Sequence, residues 1–317
     1  MAGRYRVELI PIEEKDRLME EYRERVLYEE RADIYGCCIK LLTENRYVKE
    51  RWEENFYPMS ANVRSHGRLV VMDEEDKPLG VRYNPLSKTA FLTNVDYYGW
   101  IKSLALSVAG DVLEDEHGIN SIHGACVDVD GRGLGLIAPS GTGKTTHTYG
   151  LLRLERVRAV ADDWFFVRLY GRDALAFGSE KNFYVQADIA EIWGEYEDLV
   201  ERAEFDKQGR ALVNVRWIVG KGRIIPMTTV RTMIMLKRDP NDEKVVRRLE
   251  PEEALRDVVQ TDFCNPHLLV KDERKHQMRR DFFRRLFKVT DLYSVNTVLE
   301  PLEVHRRIDG IIESSLG

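Results

Sequence analysis

Cysteine is scarce, with four among 317 residues. Cys37 and Cys38 are adjacent, Cys126 and Cys264 are isolated, and no CxxC pair occurs. This excludes a disulfide framework and gives no signal for a thiolate zinc site or a redox motif. No run approaches the roughly 18 apolar residues that a membrane helix needs. The first residues, MAGRYRVELIPIEEKDR, hold no apolar core of signal-peptide type, so the expectation is a cytoplasmic protein without a membrane partner. Positive charge is not in excess either: 48 Lys and Arg stand against 54 Asp and Glu, a net charge of −6. No global basic field exists to hold nucleic acid, and no nucleic-acid partner is expected. Internal repeats and low-complexity stretches are also absent.

What is there suffices for ordinary cores: 43% of residues are hydrophobic and 9% aromatic, under a surface rich in mixed charge. At roughly 100–200 residues per domain the length predicts two domains. Residues 1–118 read as a smaller α+β domain and 119–317 as an α/β domain on a mixed sheet. In the first, the spacing predicts a charged helix over 12–33, a short helix over 45–55, strands at 68–73, 80–84 and 89–94, and a helix over 96–116 with Asp96 as N-cap. In the second, 120–129 and 134–138 flank an Asp-Gly turn and read as a hairpin. Strands follow at 157–161, 164–170, 173–178, 211–219, 229–237 and 292–298, with helices at 187–197, 251–261, 270–288 and 301–315.

The strongest motif is Ala138-Pro139-Ser140-Gly141-Thr142-Gly143-Lys144-Thr145-Thr146, a P-loop (Walker A) pattern GxxxxGK[ST] with Ala138 in place of the first glycine. Gly141 and Gly143 let backbone N–H groups turn inward to cradle phosphates. Lys144 supplies a positive charge to the β- and γ-phosphates, Thr145 offers a hydroxyl to Mg²⁺, and the following helix aims its N-terminal dipole at the anion. The flanking LGLIA and TTHTYGLLRL provide the strand–loop–helix that the motif requires. Ser140 to Thr146 are therefore the expected nucleotide-binding residues.

Eighteen residues after Lys144, Asp162-Asp163 closes a β-type run. One carboxylate there suits Mg²⁺ and the other suits the proton of an attacking hydroxyl, provided that the strand ends at the pair. His123 lies in the first strand of the hairpin that feeds the loop. On pattern alone a lone histidine in such a run is usually a hydrogen-bonded core residue, and it is the hairpin leading into the loop that makes it a site candidate.

In this order and at these distances, His123-Gly124, PSGTGKTT and Ala161-Asp162-Asp163 resemble the HPr kinase/phosphorylase and phosphoenolpyruvate carboxykinase superfamily. Val213-Asn214-Val215-Arg216 with Gly220-Lys221-Gly222 resembles the Asn-Val motif of the HPr kinases, while GTGKTT is closer to the carboxykinase loop. The resemblance covers roughly 119–240. It implies a mixed-sheet P-loop kinase domain, nucleotide phosphates on residues 140–146, and a divalent metal on Thr145 with Asp162 or Asp163. It further implies an aspartate that takes the proton of a hydroxyl, His123 near the metal or active site, and Arg216 near the transferring phosphoryl group; a surface arginine on a strand is the bland alternative for Arg216. The carboxykinase's metal-binding lysine has no clear counterpart before His123, Lys102 being the nearest. An insertion over 178–184 contains Lys181 and Asn182, which read either as an acceptor pocket for an anionic substrate or as a surface loop.

The expected activity is a Mg²⁺- or Mn²⁺-dependent kinase that uses ATP or another nucleotide and a protein-serine or small-metabolite hydroxyl as acceptor. The alternatives are carboxykinase-like transfer to an enolate and a nucleotide-binding regulator without turnover. Some members of the family are hexameric, so a homo-oligomer is compatible with the resemblance.

Overall fold

A computed structural model describes residues 5–139 and 141–316. The chain forms mixed sheets with helices and divides into two compact units. The first runs to Ile119 and takes in Ser179–Lys181 and His267–Lys275; the second holds the rest.

The first unit contains β1 (Val7–Leu9), α1 (Ile12–Tyr22), β2 (Tyr28–Ile34), β3 (Cys37–Thr43), α2 (Arg46–Asn55), β4 (Tyr57–Pro58), β5 (Gly67–Met72), β6 (Gly80–Asn84), β7 (Thr89–Thr93) and α3 (Tyr98–His117). Its seven strands are ordered β1-β6-β7-β5-β3-β2-β4. Leu18 and Tyr22 of α1 pack on Leu42, Val70, Met72 and Phe91. The opposite face meets α3: a Cβ on Gly67 would come within 2.5 Å of Val108. A sheet covered on both faces explains the continuous burial of β7 and the nearly continuous burial of β3.

The expected helix over 12–33 is corrected here, because α1 stops at Tyr22 and Tyr28–Ile34 is a strand. Tyr35 and Gly36 both take positive φ, 50° and 77°, and form the two-residue turn that pairs β2 with β3. Three of the charges of β2 that suggest a helix, Glu29, Arg31 and Asp33, instead share its partly exposed side, where Glu29 bridges Arg31 and Lys40. Asp96 is not the N-cap of α3; that position is Tyr97, without a side-chain cap.

The second unit contains β8 (Asn120–Val129), β9 (Arg132–Ile137), α4 (Lys144–Leu152), β10 (Val157–Ala161), β11 (Trp164–Tyr170), β12 (Asp173–Gly178), β13 (Phe183–Gln186), α5 (Ile189–Ile192), α6 (Glu197–Glu201), β14 (Arg210–Val213), α7 (Arg216–Val219), β15 (Met227–Lys237), β16 (Val246–Arg248), α8 (Pro251–Gln260), β17 (Asp291–Asn296) and α10 (Pro301–Leu316). Between α8 and β17 lies α9 (Glu273–Phe287). β9 is central, antiparallel to β8 and parallel to β15, which is in turn parallel to β17. The β11–β12 hairpin links β8 to β15, so β8, β9, β15, β12 and β11 close into a ring.

Two expectations change in this unit. The helix over 187–197 is broken into α5, a 3₁₀ turn at Gly194–Tyr196 and α6. The strand over 211–219 ends at Val213 and gives way to α7, so Arg216 opens a one-turn helix instead of lying on a strand. Among the described residues, no helix is long and apolar enough to cross a membrane.

Candidate functional site

Strand register brings the motif residues to one edge of the sheet. Ile137, the last residue of β9, lies opposite Gly124, so the glycine-rich loop leaves the sheet beside His123. β8 also pairs on its other side, with β10 through Cys126–Val129 and with β11 through Asn120–His123. Asp162 and Asp163 form the bend where the chain passes from β10 to β11, alongside residues 124 and 125. The Gly124 N–H donates to the Asp163 carbonyl at 2.8 Å. Glycine is needed at 124, since a Cβ would sit 2.6 Å from the Leu136 carbonyl oxygen.

The loop takes the geometry that its glycines allow. Gly141 and Gly143 have φ of 81° and 93°, a region that side-chain-bearing residues rarely enter. Thr142 folds back, its hydroxyl donating to the Pro139 carbonyl at 2.7 Å. Lys144, Thr145 and Thr146 form the first turn of α4, each partly exposed. Ser140 lies outside the described residues.

Two side chains converge on one carboxylate oxygen of a third. The Lys144 ammonium donates to Asp163 Oδ1 at 2.8 Å and to the Asp162 carbonyl at 2.8 Å. His123 Nε2 stands 3.3 Å from the same Asp163 Oδ1. His123 Nδ1 lies 2.8 Å from the Cys264 carbonyl oxygen. A carbonyl only accepts, so Nδ1 carries the proton and Nε2 is the nitrogen turned to the carboxylate. The imidazole also packs edge-on against Trp164, its cross-strand partner, at 5.7 Å.

The paired aspartates are not equivalent. The Asp162 carboxylate is buried, and its Oδ2 accepts the Tyr184 N–H at 3.0 Å. The Asp163 side chain is 23% exposed and meets the lysine and the histidine. The other expected residues have these surroundings. The Lys181 ammonium donates to the Glu53 carbonyl within the first unit, and Asn182 precedes β13 in the second. Arg216 is half-buried, with its backbone N–H on Asn214 Oδ1 at 3.3 Å. Lys102 pairs with Glu180 at 3.1 Å, both side chains being 2% exposed.

Sequence reasoning missed two supports of the site. The first is the Cys264 carbonyl, a backbone atom that no residue pattern announces. The second is Arg223, whose guanidinium donates to the carbonyls of Leu152 and Val157 at 2.7 Å and also to that of Leu154, just past the end of α4. A cation there satisfies orphan carbonyls and complements the dipole of α4. The 3₁₀ segment and its approach add Trp193 Nε1 on the Thr146 carbonyl and Tyr196 Oη on that of Tyr149.

Oxygen donors at Thr145, Asp162 and Asp163 match the preference of Mg²⁺. Among the described residues no group of three or more His, Cys, Asp or Glu side chains could hold a metal by itself. Mg²⁺ is commonly held by one or two carboxylates together with substrate phosphates.

No protein-family model matches this chain, and no curated protein sequence matches it. Among solved structures, the Hpr(Ser) kinase/phosphatase from Coxiella burnetii is similar over 62% of this chain and 99% of that chain, at 9% identity and a TM-score of 0.37. A likeness at that score carries no functional weight.

Proposed function

We propose that the chain is a nucleotide-dependent phosphotransferase, a kinase that moves a terminal phosphoryl group onto a hydroxyl of a protein serine or a small metabolite. The observation that carries this is the meeting of Lys144, Asp163 and His123 on one carboxylate oxygen at the mouth of a glycine-rich loop. A nucleotide-binding scaffold has no need of a partly exposed carboxylate beside its phosphate lysine; a transferase has.

The loop amides and Lys144 hold the donor phosphates, and the N-terminus of α4 faces them. Asp163 accepts the hydroxyl proton as the new oxygen–phosphorus bond forms and the bond to the leaving nucleotide breaks. Lys144 is within reach of both partners and places its charge where the phosphoryl oxygens accumulate theirs. Thr145, with Asp162 or Asp163, would hold Mg²⁺, which supplies further charge neutralisation on the phosphates. His123, held through Nδ1 on the Cys264 carbonyl, stands beside Asp163 at the mouth of the loop. Arg216 remains a candidate for phosphoryl contact, and Lys181 and Asn182 for acceptor contact.

The test is a donor-and-acceptor screen with Mg²⁺ or Mn²⁺, in which labelled ATP, GTP, ADP and pyrophosphate are offered with a metabolite pool and serine-containing proteins. Lys144→Ala serves as the blank. The expected result is a labelled product that disappears in the blank. Tight nucleotide binding with no transfer from any donor would contradict the proposal and favour a regulator.

A further inference from the structure

A second segment stands at the same sheet edge as the glycine-rich loop. β9 and β15 are parallel, as are β15 and β17, so all three strands end on one side, with Ile137 opposite Met235 and Lys237 opposite Asn296. The loop follows β9, Arg238 follows β15 and Thr297 follows β17. α4 and α10 run back from this edge and share one core with Leu136, Ile234 and Val295. α8 and α9, on the connection from β15 to β17, add nothing to that core. The connections therefore diverge between β9 and β15, which is where α/β sheets hold their ligands.

The turn after β15 is firmly tied. Asn296, wholly buried, accepts the Asp239 N–H at 3.0 Å and donates to the carbonyls of Asp239 and Asp242 at 2.8 Å. The Thr297 N–H donates to the Lys237 carbonyl at 2.8 Å. Two consecutive cations stand on this turn, and they are paired unequally. Lys237 meets Asp242, with Asp239 at 3.9 Å. Arg238 is exposed, and its side chain makes one bond, from Nε–H to the Thr297 carbonyl at 3.1 Å. That bond orients the guanidinium and leaves Nη1 and Nη2 without an acceptor among the described residues. The guanidinium is also near the loop. Its charge acts on the buried His147 ring, and that ring packs against Gly143, where a Cβ would meet Cδ2 at 3.3 Å.

β9 separates β15 from β8, the strand whose Gly124 bonds the Asp163 carbonyl. A donor with its terminal phosphoryl group at Asp163 and its middle phosphate in the loop thus runs toward Arg238. We propose that Arg238 is a donor-binding residue: Nη1 and Nη2 take the phosphate nearest the nucleoside, so that the site selects a nucleoside triphosphate over pyrophosphate. Pyrophosphate fills the loop and the Asp163 side and does not reach the guanidinium. The planar fork offers two N–H groups to two phosphate oxygens, a match that a lysine ammonium does not make. This assignment deepens the phosphotransferase function proposed above and rests on it for the direction of the donor; its test reads binding and not turnover.

The full-length protein is titrated calorimetrically with ATP and with pyrophosphate, each with Mg²⁺, as wild type, Lys144→Ala, Arg238→Ala and Arg238→Lys. The wild type should bind both ligands, and Lys144→Ala should weaken both. Arg238→Ala should raise the ATP Kd at least about tenfold and leave that of pyrophosphate within about twofold, which also shows that the variant is folded. Arg238→Lys should recover only part of the ATP affinity. Unchanged ATP binding in Arg238→Ala overturns the assignment, and so does an equal loss for ATP and pyrophosphate, which makes Arg238 a general source of charge. A wild type that binds neither ligand overturns the assignment and the phosphotransferase together. Selective loss of ATP binding in Arg238→Ala, in a protein that transfers no phosphoryl group, supports the assignment and contradicts the phosphotransferase.

Discussion

Each unit of this molecule sets lysine against aspartate, and the two arrangements differ in burial and in how completely the charges are matched. In the first, Lys275 lies at 0% exposure among Asp111, Glu114 and Asp115, at 2.6, 3.1 and 2.9 Å. Lys88 joins from the turn between β6 and β7 at 2.6 Å from Asp111, Arg274 pairs with Asp115, and the Tyr83 hydroxyl donates to Asp111 at 2.6 Å. Three cations thus face three carboxylates on a helix that is buried almost all round. In the second, Lys144 and His123 meet a single carboxylate oxygen, and all three side chains keep some exposure. Dense, sealed pairing is what a folded chain needs to bury charge. A partly open carboxylate at a sheet edge beside a glycine-rich loop is where, under the proposed function, exchange of a proton and an anion occurs.

The comparison can be broken at either end. Lys275→Met leaves buried carboxylates without their cation and should destabilise the protein by about 3–5 kcal/mol, read in urea unfolding. Lys144→Ala should do the reverse: little change in unfolding, but a loss of about 10²–10³-fold in phosphoryl transfer, measured with the labelled donor. Equal destabilisation by both would erase the distinction. Arg223→Ala removes the cap on α4 and should cost about 1.5–3 kcal/mol, with Arg223→Lys retaining part of it.

Acid should separate the units as well. Burial, reinforced by the positive charges of His305 and Arg238, lowers the His147 pKa to about 4, against roughly 6.5 in an unfolded chain. The folded form binds fewer protons, so the contribution of neutral His147 is whole above about pH 6.5 and is lost as pH falls through 4. Burial alone would raise the Asp111 carboxyl; the charge and hydrogen bond of Lys275, with the bonds from Lys88 and Tyr83, outweigh it and hold the carboxyl below its usual range. That contribution persists until pH falls below about 4. Unfolding followed from pH 7 to 3 should show His147→Gln flattening the upper part of the decline and Lys275→Met altering the lower part.

Much of the second unit was legible because its signals are local. Glycines at 141 and 143, an apolar run before them and helix formers after them describe a strand, loop and helix without tertiary information. The hairpin of β8 and β9 followed from Asp130-Gly131. The proximity of His123 to Asp163 depends instead on register, since β8 must pair with both β10 and β11, and that is set by packing across the sheet. The carbonyl behind His123 depends on a turn whose three residues, Asp262, Phe263 and Cys264, take positive φ with no glycine to announce it, at about 1–2 kcal/mol of left-handed cost per residue. The first unit hid its β2 strand under charge: Tyr-Glu-Glu-Arg-Ala-Asp-Ile resembles a helix surface, and only pairing with β3 across Tyr35-Gly36 makes it a strand.

The measurement closest to the central claim is kcat and nucleotide Kd determined side by side for the wild type and Asp163→Asn. The substitution preserves shape and removes the proton acceptor. If Asp163 is the base, kcat falls by about 10²–10⁴-fold while Kd for the magnesium nucleotide moves little. Wild-type turnover in Asp163→Asn would contradict the account.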